Sequence, residues 1–183
     1  MRNVICALNI SIDGCYDHEK LSGYPEVHEY FTELLKGVDL DITGRKMYEL
    51  MKPYWDEVAK KRSGGKTDTD FADTFTAIES IVVSRTMGQV EGGPRILRDN
   101  IEAEILKLKA MPGKKISIGG MTLRSQLMAA GLIDEFYVVI QPVIIGTGPR
   151  LFNDIDLSDP IKWELSETKV MQCGCVGLHY LRR

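Results

Sequence analysis

The stretch Ile116-Ser117-Ile118-Gly119-Gly120-Met121-Thr122-Leu123 passes from an apolar, strand-like run through two glycines into a helix. The helix is marked by Leu123, Leu127, Met128 and Ala130, which fall on one face at three- and four-residue spacing. A junction of this kind has two physical consequences. Backbone without Cβ atoms lets a bulky ligand approach closely. The free N–H groups of the helix start then point at that ligand with a partial positive charge. Both suit a pyrophosphate, and both are also compatible with a plain structural corner.

Outward from this junction, apolar segments alternate with helical ones. Val4 to Ile12 reads as a first strand buried on both faces. Pro25 to Lys36 reads as a helix with Val27, Tyr30, Phe31, Leu34 and Leu35 turned inward and Gly37 as its stop. Val38 to Thr43 is a second strand. Gly44 to Met51 is a short helix halted by Pro53, and the Gly-, Thr- and Asp-rich residues 61 to 70 read as a surface loop. Ile81-Val82-Val83-Ser84, within Ala77 to Arg85, is a buried strand by its β-branched content. Arg95-Ile96-Leu97 is a brief strand, and Asn100 is placed to cap a helix through Ala110. Gly131 closes the helix after the glycine pair, and Glu135 to Gln141 is a strand. Lys162 to Met171 and Val176 to Arg182 form a hairpin around Gln172-Cys173-Gly174. The β–α alternation predicts an α/β domain over residues 1–183, with a mainly parallel central sheet, helices on both faces and a C-terminal antiparallel hairpin.

Ligands of open α/β sheets bind beyond the carboxyl ends of the parallel strands. Besides Gly119-Gly120, two further strand ends carry suitable residues. Thr43-Gly44-Arg45-Lys46 is another strand–Gly–helix junction, now with two cations, and Ser84-Arg85-Thr86 offers hydroxyls and a guanidinium. Arginine forks bind phosphate monoesters bidentately, so Arg45 and Arg85 favour a ribose bearing a 2′-phosphate.

Composition narrows the choice. The chain of 183 residues is 44% hydrophobic and 27% charged, with a net charge of −3, which argues against a dedicated nucleic-acid surface. Lys60-Lys61-Arg62 reads as a solvated loop. No apolar segment approaches the roughly 18–20 residues of a membrane span. Arg2-Asn3 is followed at once by a strand-like run rather than a signal peptide, so a cytoplasmic protein is expected. Cys6 reads as a core residue, and Cys173-Gly174-Cys175 as a turn rather than a metal or redox pair. His18 and His28 sit in polar surroundings and His179 in a terminal strand, so no metal site is expected.

Gly44-Arg45-Lys46-Met47-Tyr48-Glu49 resembles the Gly-Arg-Lys/His-Thr-Tyr/Trp-Glu segment of dihydrofolate reductases, and Ile118-Gly119-Gly120 resembles their Gly-Gly before the cofactor helix. Three other segments resemble more closely the reductase domain of the bifunctional riboflavin-biosynthesis deaminase-reductase. They are Gly119-Gly120-Met121-Thr122-Leu123, Gly131-Leu132-Ile133-Asp134-Glu135 and Pro142-Val143-Ile144-Ile145-Gly146-Thr147-Gly148. Ser11-Ile12-Asp13-Gly14 is similar to that group's Ser-Leu-Asp-Gly. The likeness covers nearly the whole chain and is most specific over residues 118–152.

The resemblance implies a three-layer dihydrofolate reductase-like fold and reduction of a heterocyclic or sugar-linked substrate by NADPH. The nearest family activity is that of a 5-amino-6-(5-phosphoribosylamino)uracil reductase, and the runner-up is dihydrofolate reduction. From another class, a catalytically silent nucleotide-binding module also fits. Carried over by position, Gly44, Arg45, Lys46, Ser84 and Arg85 would hold the adenosine end and its 2′-phosphate, while Gly119, Gly120, Met121 and Thr122 would hold the pyrophosphate. The nicotinamide would lie beside Ala7, Leu8 and Asn9. The likeness also implies a cis peptide between Gly119 and Gly120, and a homodimer. Asp13 is the candidate polar group at the reaction centre, donating a proton through water or binding substrate. Glu26, Glu29 and Glu33 are candidates for the acidic residue with which this helix binds the pterin in dihydrofolate reductases. The chain departs from the riboflavin reductases at Glu49-Leu50-Met51-Lys52-Pro53-Tyr54-Trp55, where their Asp-Pro segment would stand. There, Tyr54 and Trp55 would wall the substrate pocket.

Overall fold

Val4, Ile5 and Cys6 offer no polar side chain to water, and all three are fully buried in strand β1 (Val4–Ser11), inside an eight-stranded sheet. The computed structural model describes residues 1–17, 19–89, 91–152 and 155–183, so the reading of His18 lies outside the described residues. The remaining elements follow in chain order: α1 (Pro25–Leu35), β2 (Val38–Gly44), α2 (Arg45–Lys61), α3 (Lys66–Thr76), β3 (Glu79–Val83), β4 (Arg95–Leu97), α4 (Ile101–Ala110), β5 (Lys115–Gly119), α5 (Met121–Ala129), β6 (Glu135–Gln141), β7 (Trp163–Val170) and β8 (Val176–Arg182). The sheet order is β4-β3-β2-β5-β1-β6-β8-β7. Pairings from β4 across to β6 are parallel, and β8 is antiparallel to both β6 and β7.

Strand alternation sorts the side chains between two helical layers. Leu40, Ile42, Val4, Cys6, Leu8, Ile116 and Ile118 pack against Ile105 and Leu108 of α4 and Leu123, Leu127 and Met128 of α5. On the other face, Ile5, Ala7 and Tyr137 meet Tyr30, Leu34 and Leu35 of α1. A register shift between Val38 and Leu40 turns Val38 to this second face.

Four local expectations change. Pro53 does not end its helix. It lies inside the 17-residue α2, because Trp55 and Val58 beyond it are buried against Phe71 and Ala72 of α3. That burial outweighs the roughly 3 kcal/mol a mid-helix proline costs. The polar stretch read as a loop up to residue 70 already contains the start of α3. The Asp68 carboxylate accepts the Gly65 N–H at 2.9 Å, so this Gly/Asp pattern is a helix start and not a loop. Asn100 occupies the position before α4, but its backbone is left-handed (φ 51°) and its amide donates to Asp99 rather than capping the helix. In α5 the expected inward residue Ala130 is exposed, and Arg124 is buried beside Leu123 and Leu127 instead.

Candidate functional site at the carboxyl ends of the strands

The register lines up the glycine-bearing strand ends. Thr43 on β2 stands opposite Gly119 on β5, and Gly44 stands opposite Val83 on β3. The two junctions therefore touch. A Cβ on Gly119 would collide with Thr43 Oγ1, and one on Gly120 would lie 3.3 Å from the Gly44 nitrogen. The expected cis bond between Gly119 and Gly120 is not there: the described peptide bonds are trans, and the turn is made by Gly120 at φ 91°, which glycine adopts without a Cβ clash.

Helices α2 and α5 start at this contact, and neither has a side-chain cap. In α5 the first intrahelical bond runs from the Arg124 N–H to the Gly120 carbonyl at 3.0 Å, so the earlier N–H groups of Met121, Thr122 and Leu123 have no helical acceptor. Arg45 is the first residue of α2, partly exposed and only 3.4 Å from the Glu49 carboxylate, its ion-pair partner. Lys46 beside it is exposed. Two uncapped helix starts in contact, flanked by these cations, form an edge that could hold an anion.

The third strand end is organised differently. Ser84 is buried, and its Oγ accepts the N–H groups of Thr86 (3.2 Å) and Met87 (3.0 Å), so the hydroxyl shapes the turn. Arg85 is exposed next to it. Arg98, just past β4, donates to the carbonyls of Arg85 (3.1 Å) and Met87 (2.9 Å) and fixes the same turn. Sequence reading passed over Arg98, although it also follows a strand directly.

Another missed residue is Arg124. It is buried, donates through Nε to the Ile118 carbonyl and through Nη2 to the Ala7 carbonyl, both at 3.0 Å, and packs 5.4 Å from the Tyr16 ring centre. The guanidinium thus ties the middle of β1 to the end of β5 and occupies one lone pair of the Ala7 carbonyl. Its position in an apolar stripe gave no sequence signal for this task.

Asp13 holds a loop. Its carboxylate accepts the Ser11 hydroxyl (2.6 Å) and the N–H groups of Ile145 (3.1 Å) and Gly146 (2.9 Å), with Arg150 at 3.6 Å. The Ser11 hydrogen bond and then the two backbone N–H groups hold this carboxyl well below the usual carboxylate range. With both oxygens engaged in this way, the Asp13 carboxylate ties the end of β1 to the 144–148 loop. Asp13→Asn is expected to free the 144–148 segment, measured as faster amide hydrogen exchange at Ile145 and Gly146. Unchanged exchange there would contradict the clamp.

The expected pocket aromatics are placed elsewhere. Trp55 is buried, with its ring 4.5 Å from Phe71, and Tyr54 is exposed beside it. Both lie about 14 Å along α2 from Arg45, given the 1.5 Å helical rise; Trp55 packs in the α2–α3 core, and Tyr54 lines a surface cavity with Glu57, Val58 and Gly64. Nor does a glutamate of α1 face the sheet. Glu26 accepts the Gln172 N–H at 2.7 Å, Glu29 is exposed, and Glu33 pairs with Lys36. The inward position near the start of α1 is Val27, which is 2% exposed.

A mainly parallel open sheet with a glycine pair, two uncapped helix starts and arginines along one carboxyl edge defines a dihydrofolate reductase-like α/β protein. The chain belongs to the RibD C-terminal domain family, which it matches over residues 2–176. It is 32% identical to the Uncharacterized protein YyaP of Bacillus subtilis (strain 168) over 151 residues, which are 82% of this chain and 77% of that protein. Among solved structures, it is similar to the diaminohydroxyphosphoribosylaminopyrimidine deaminase/5-amino-6-(5-phosphoribosylamino)uracil reductase of Thermotoga maritima (TM-score 0.71, 15% identity, all of this chain and 57% of that one). It is also similar to the dihydrofolate reductase of Enterococcus faecalis complexed with NADP(H) (TM-score 0.63, 17% identity, 99% of this chain and 96% of that one). Likenesses at these identities show the shared fold.

Proposed function

We propose that this chain is an NADPH-dependent reductase of the riboflavin-biosynthesis type, acting on a small heterocyclic or sugar-linked substrate such as a ribosylamino-pyrimidine. One observation carries the reading: the uncapped starts of α2 and α5 meet at the Thr43–Gly119 contact, with Arg45 at the first helical position. This arrangement fits the group that the family implies. The N–H groups of Met121 and Thr122 would hold the pyrophosphate, with Gly119 and Gly120 letting it approach. Arg45, Lys46 and Arg85 would take the 2′-phosphate, and Ser84 with Arg98 keeps the Arg85 turn in place. Bound there, the dinucleotide supplies a hydride. Arg124 holds β1 at Ala7 and the Asp13 clamp holds the 144–148 loop, and both would border the nicotinamide. The homodimer implied by the resemblance stays part of this proposal, with β7, an outer strand whose side chains are mostly exposed, as the open edge.

The dihydrofolate reductase reading is weaker because Val27, not an acid, occupies the inward position of α1. An NADPH-oxidation screen with ribosylamino-pyrimidine and dihydropteridine substrates tests the proposal. Oxidation with the first class supports it, and oxidation with the second alone favours the runner-up. NADPH binding without turnover of either leaves the silent nucleotide-binding module.

A further inference from the structure

Strand β1 changes character halfway along. Val4, Ile5 and Cys6 are fully buried, whereas Ala7, Asn9 and Ile10 are half-exposed, although β1 lies between β5 and β6 in the middle of the sheet. The glycine junction is the cause. Pairing with β5 stops at Cys6–Ile118, where β5 runs into Gly119 and Gly120, while pairing with β6 continues to Ser11–Gln141. The carboxyl half of β1 thus has no strand partner on its β5 side, next to the two helix starts. Ile5 and Ala7 face α1, so Asn9, two residues on, faces the same way. A half-exposed side chain on an inner strand marks a gap in the layer that covers it.

The Asn9 amide also has a fixed direction. Gln141 is 1% exposed with both ends of its amide engaged: Oε1 accepts the Ser22 N–H (3.0 Å), and Nε2 donates to the Ser22 carbonyl (3.0 Å) and to Asn9 Oδ1 (3.2 Å). Turning the Gln141 amide over would set oxygen against oxygen at Ser22, so the backbone there accepts one orientation. Asn9 must then give its oxygen to Gln141 and present its NH2 group outward. Among the described residues, the enclosed side-chain atoms without a partner are Thr43 Oγ1 and Arg124 Nη1. Asn9 Nδ2 also lacks a protein partner but is not enclosed, so it meets solvent with N–H donors to offer. Its neighbours on this face are apolar: Val139 stands opposite on β6, and Val27 of α1 packs on Val139.

We infer that Asn9, oriented by Gln141, is a specificity-determining residue: its NH2 group donates to a neutral acceptor, a lactam or ketone oxygen, on the substrate bound against the carboxyl half of β1. This rests on the reductase reading above and deepens it by stating the polarity of the edge that the site admits. A phosphate or carboxylate calls for a charged donor, and neither Val27 nor Val139 supplies one. An edge of N–H groups would meet Asn9 donor to donor and leave both unpaired. Gln141 is the positioning residue. Through Ser22 the same amide also holds the segment joining β1 to α1, so the donor and the chain beside it are set together.

The test is NMR titration of the full chain with two probes of opposite polarity. Uracil presents an N–H between two carbonyl oxygens, and 2,4-diaminopyrimidine presents a ring nitrogen between two amino groups. The Asn9 side-chain NH2 signal, identified by its loss in Asn9→Asp, is followed alongside both affinities, and NADPH is titrated separately. Asn9→Asp keeps an oxygen for Gln141 and turns the outward group from donor to acceptor. Wild type should prefer uracil, with the Asn9 signal shifting on binding, and Asn9→Asp should move the ratio of the two affinities at least about tenfold towards diaminopyrimidine. If Asn9→Asp does not fold, Asn9→Ala must still weaken uracil severalfold and spare diaminopyrimidine. An unchanged ratio, an Asn9 signal that does not respond, or no binding of either probe to wild type at millimolar concentration overturns the inference. NADPH binding with an unchanged ratio removes this role of Asn9 alone, whereas a reversed ratio without NADPH binding sustains it and removes the reductase reading.

Discussion

Replacing Glu135 with alanine is expected to cost about 3–5 kcal/mol of stability, the range for breaking a buried, hydrogen-bonded ion pair. The carboxylate is 3% exposed and accepts Lys115 Nζ (2.8 Å), Tyr137 Oη (2.5 Å), Asn3 Nδ2 (2.7 Å) and His179 Nε2 (3.0 Å). Removing it leaves Tyr137 and His179, the two enclosed donors, without their acceptor where β1, β5, β6 and β8 meet, whereas Asn3 and Lys115 can reach water. The same group sets an acid limb. Burial disfavours its charged form, but the hydrogen bonds of Lys115, Tyr137 and Asn3 outweigh burial and bring the carboxyl down to about 2 from an ordinary 4.5. A carboxyl depressed in the folded state gives stability that is complete above pH 4.5 and fades as pH falls towards 2. Denaturant melts from pH 7 to 2 should therefore show a steep acid loss in wild type and a flatter one in Glu135→Gln. Parallel curves would contradict this account. Glu135 starts β6, at the opposite end of the sheet from the anion edge, so NADPH affinity of the folded variant should be unchanged.

Gly119→Ala is expected to destabilise the chain by about 1–3 kcal/mol through overpacking and to weaken NADPH binding. The new methyl would collide with Thr43 Oγ1 and lie 3.0 Å from Thr43 Cβ, a side chain that is itself enclosed. Relief requires β2 and β5 to part at their ends, which separates the starts of α2 and α5. The melting temperature should fall by roughly 2–4 °C per kcal/mol for a chain of this length. Thr43→Ala in the same molecule removes the colliding oxygen and should restore much of the loss, so the pair will be non-additive. Strict additivity, or a Gly119→Ala variant as stable as wild type, would show that the contact is not tight.

Much of the layout was legible because local chemistry and burial agree in it. Glu135–Gln141 is a continuous run of β-formers between Asp134 and Pro142, and the structure gives that strand the same ends. Pro53 misled because local propensity and tertiary burial conflict there: Trp55 and Val58 find partners on α3 that sequence spacing does not announce. The strand-end glycines and Arg45 were legible because a glycine at a strand–helix junction has few uses. Asp13 illustrates the opposite limit. Its task depends on N–H groups 132 and 133 residues away, and no local pattern encodes that return. Arg124 stayed hidden for a related reason. A lone charge in an apolar element reads as solvent-facing until the neighbouring strand and helix are in place.

The account stands or falls on the anion edge, and a direct titration of the wild-type chain and Arg45→Ala with NADPH and NADH tests it. Wild type should bind NADPH more tightly than NADH. Arg45→Ala should weaken NADPH by about 1.5–3 kcal/mol, the worth of a charge-assisted hydrogen bond, and leave NADH nearly untouched. Equal losses for the two cofactors would remove Arg45 from the 2′-phosphate, and a wild-type chain that binds neither would contradict the central claim.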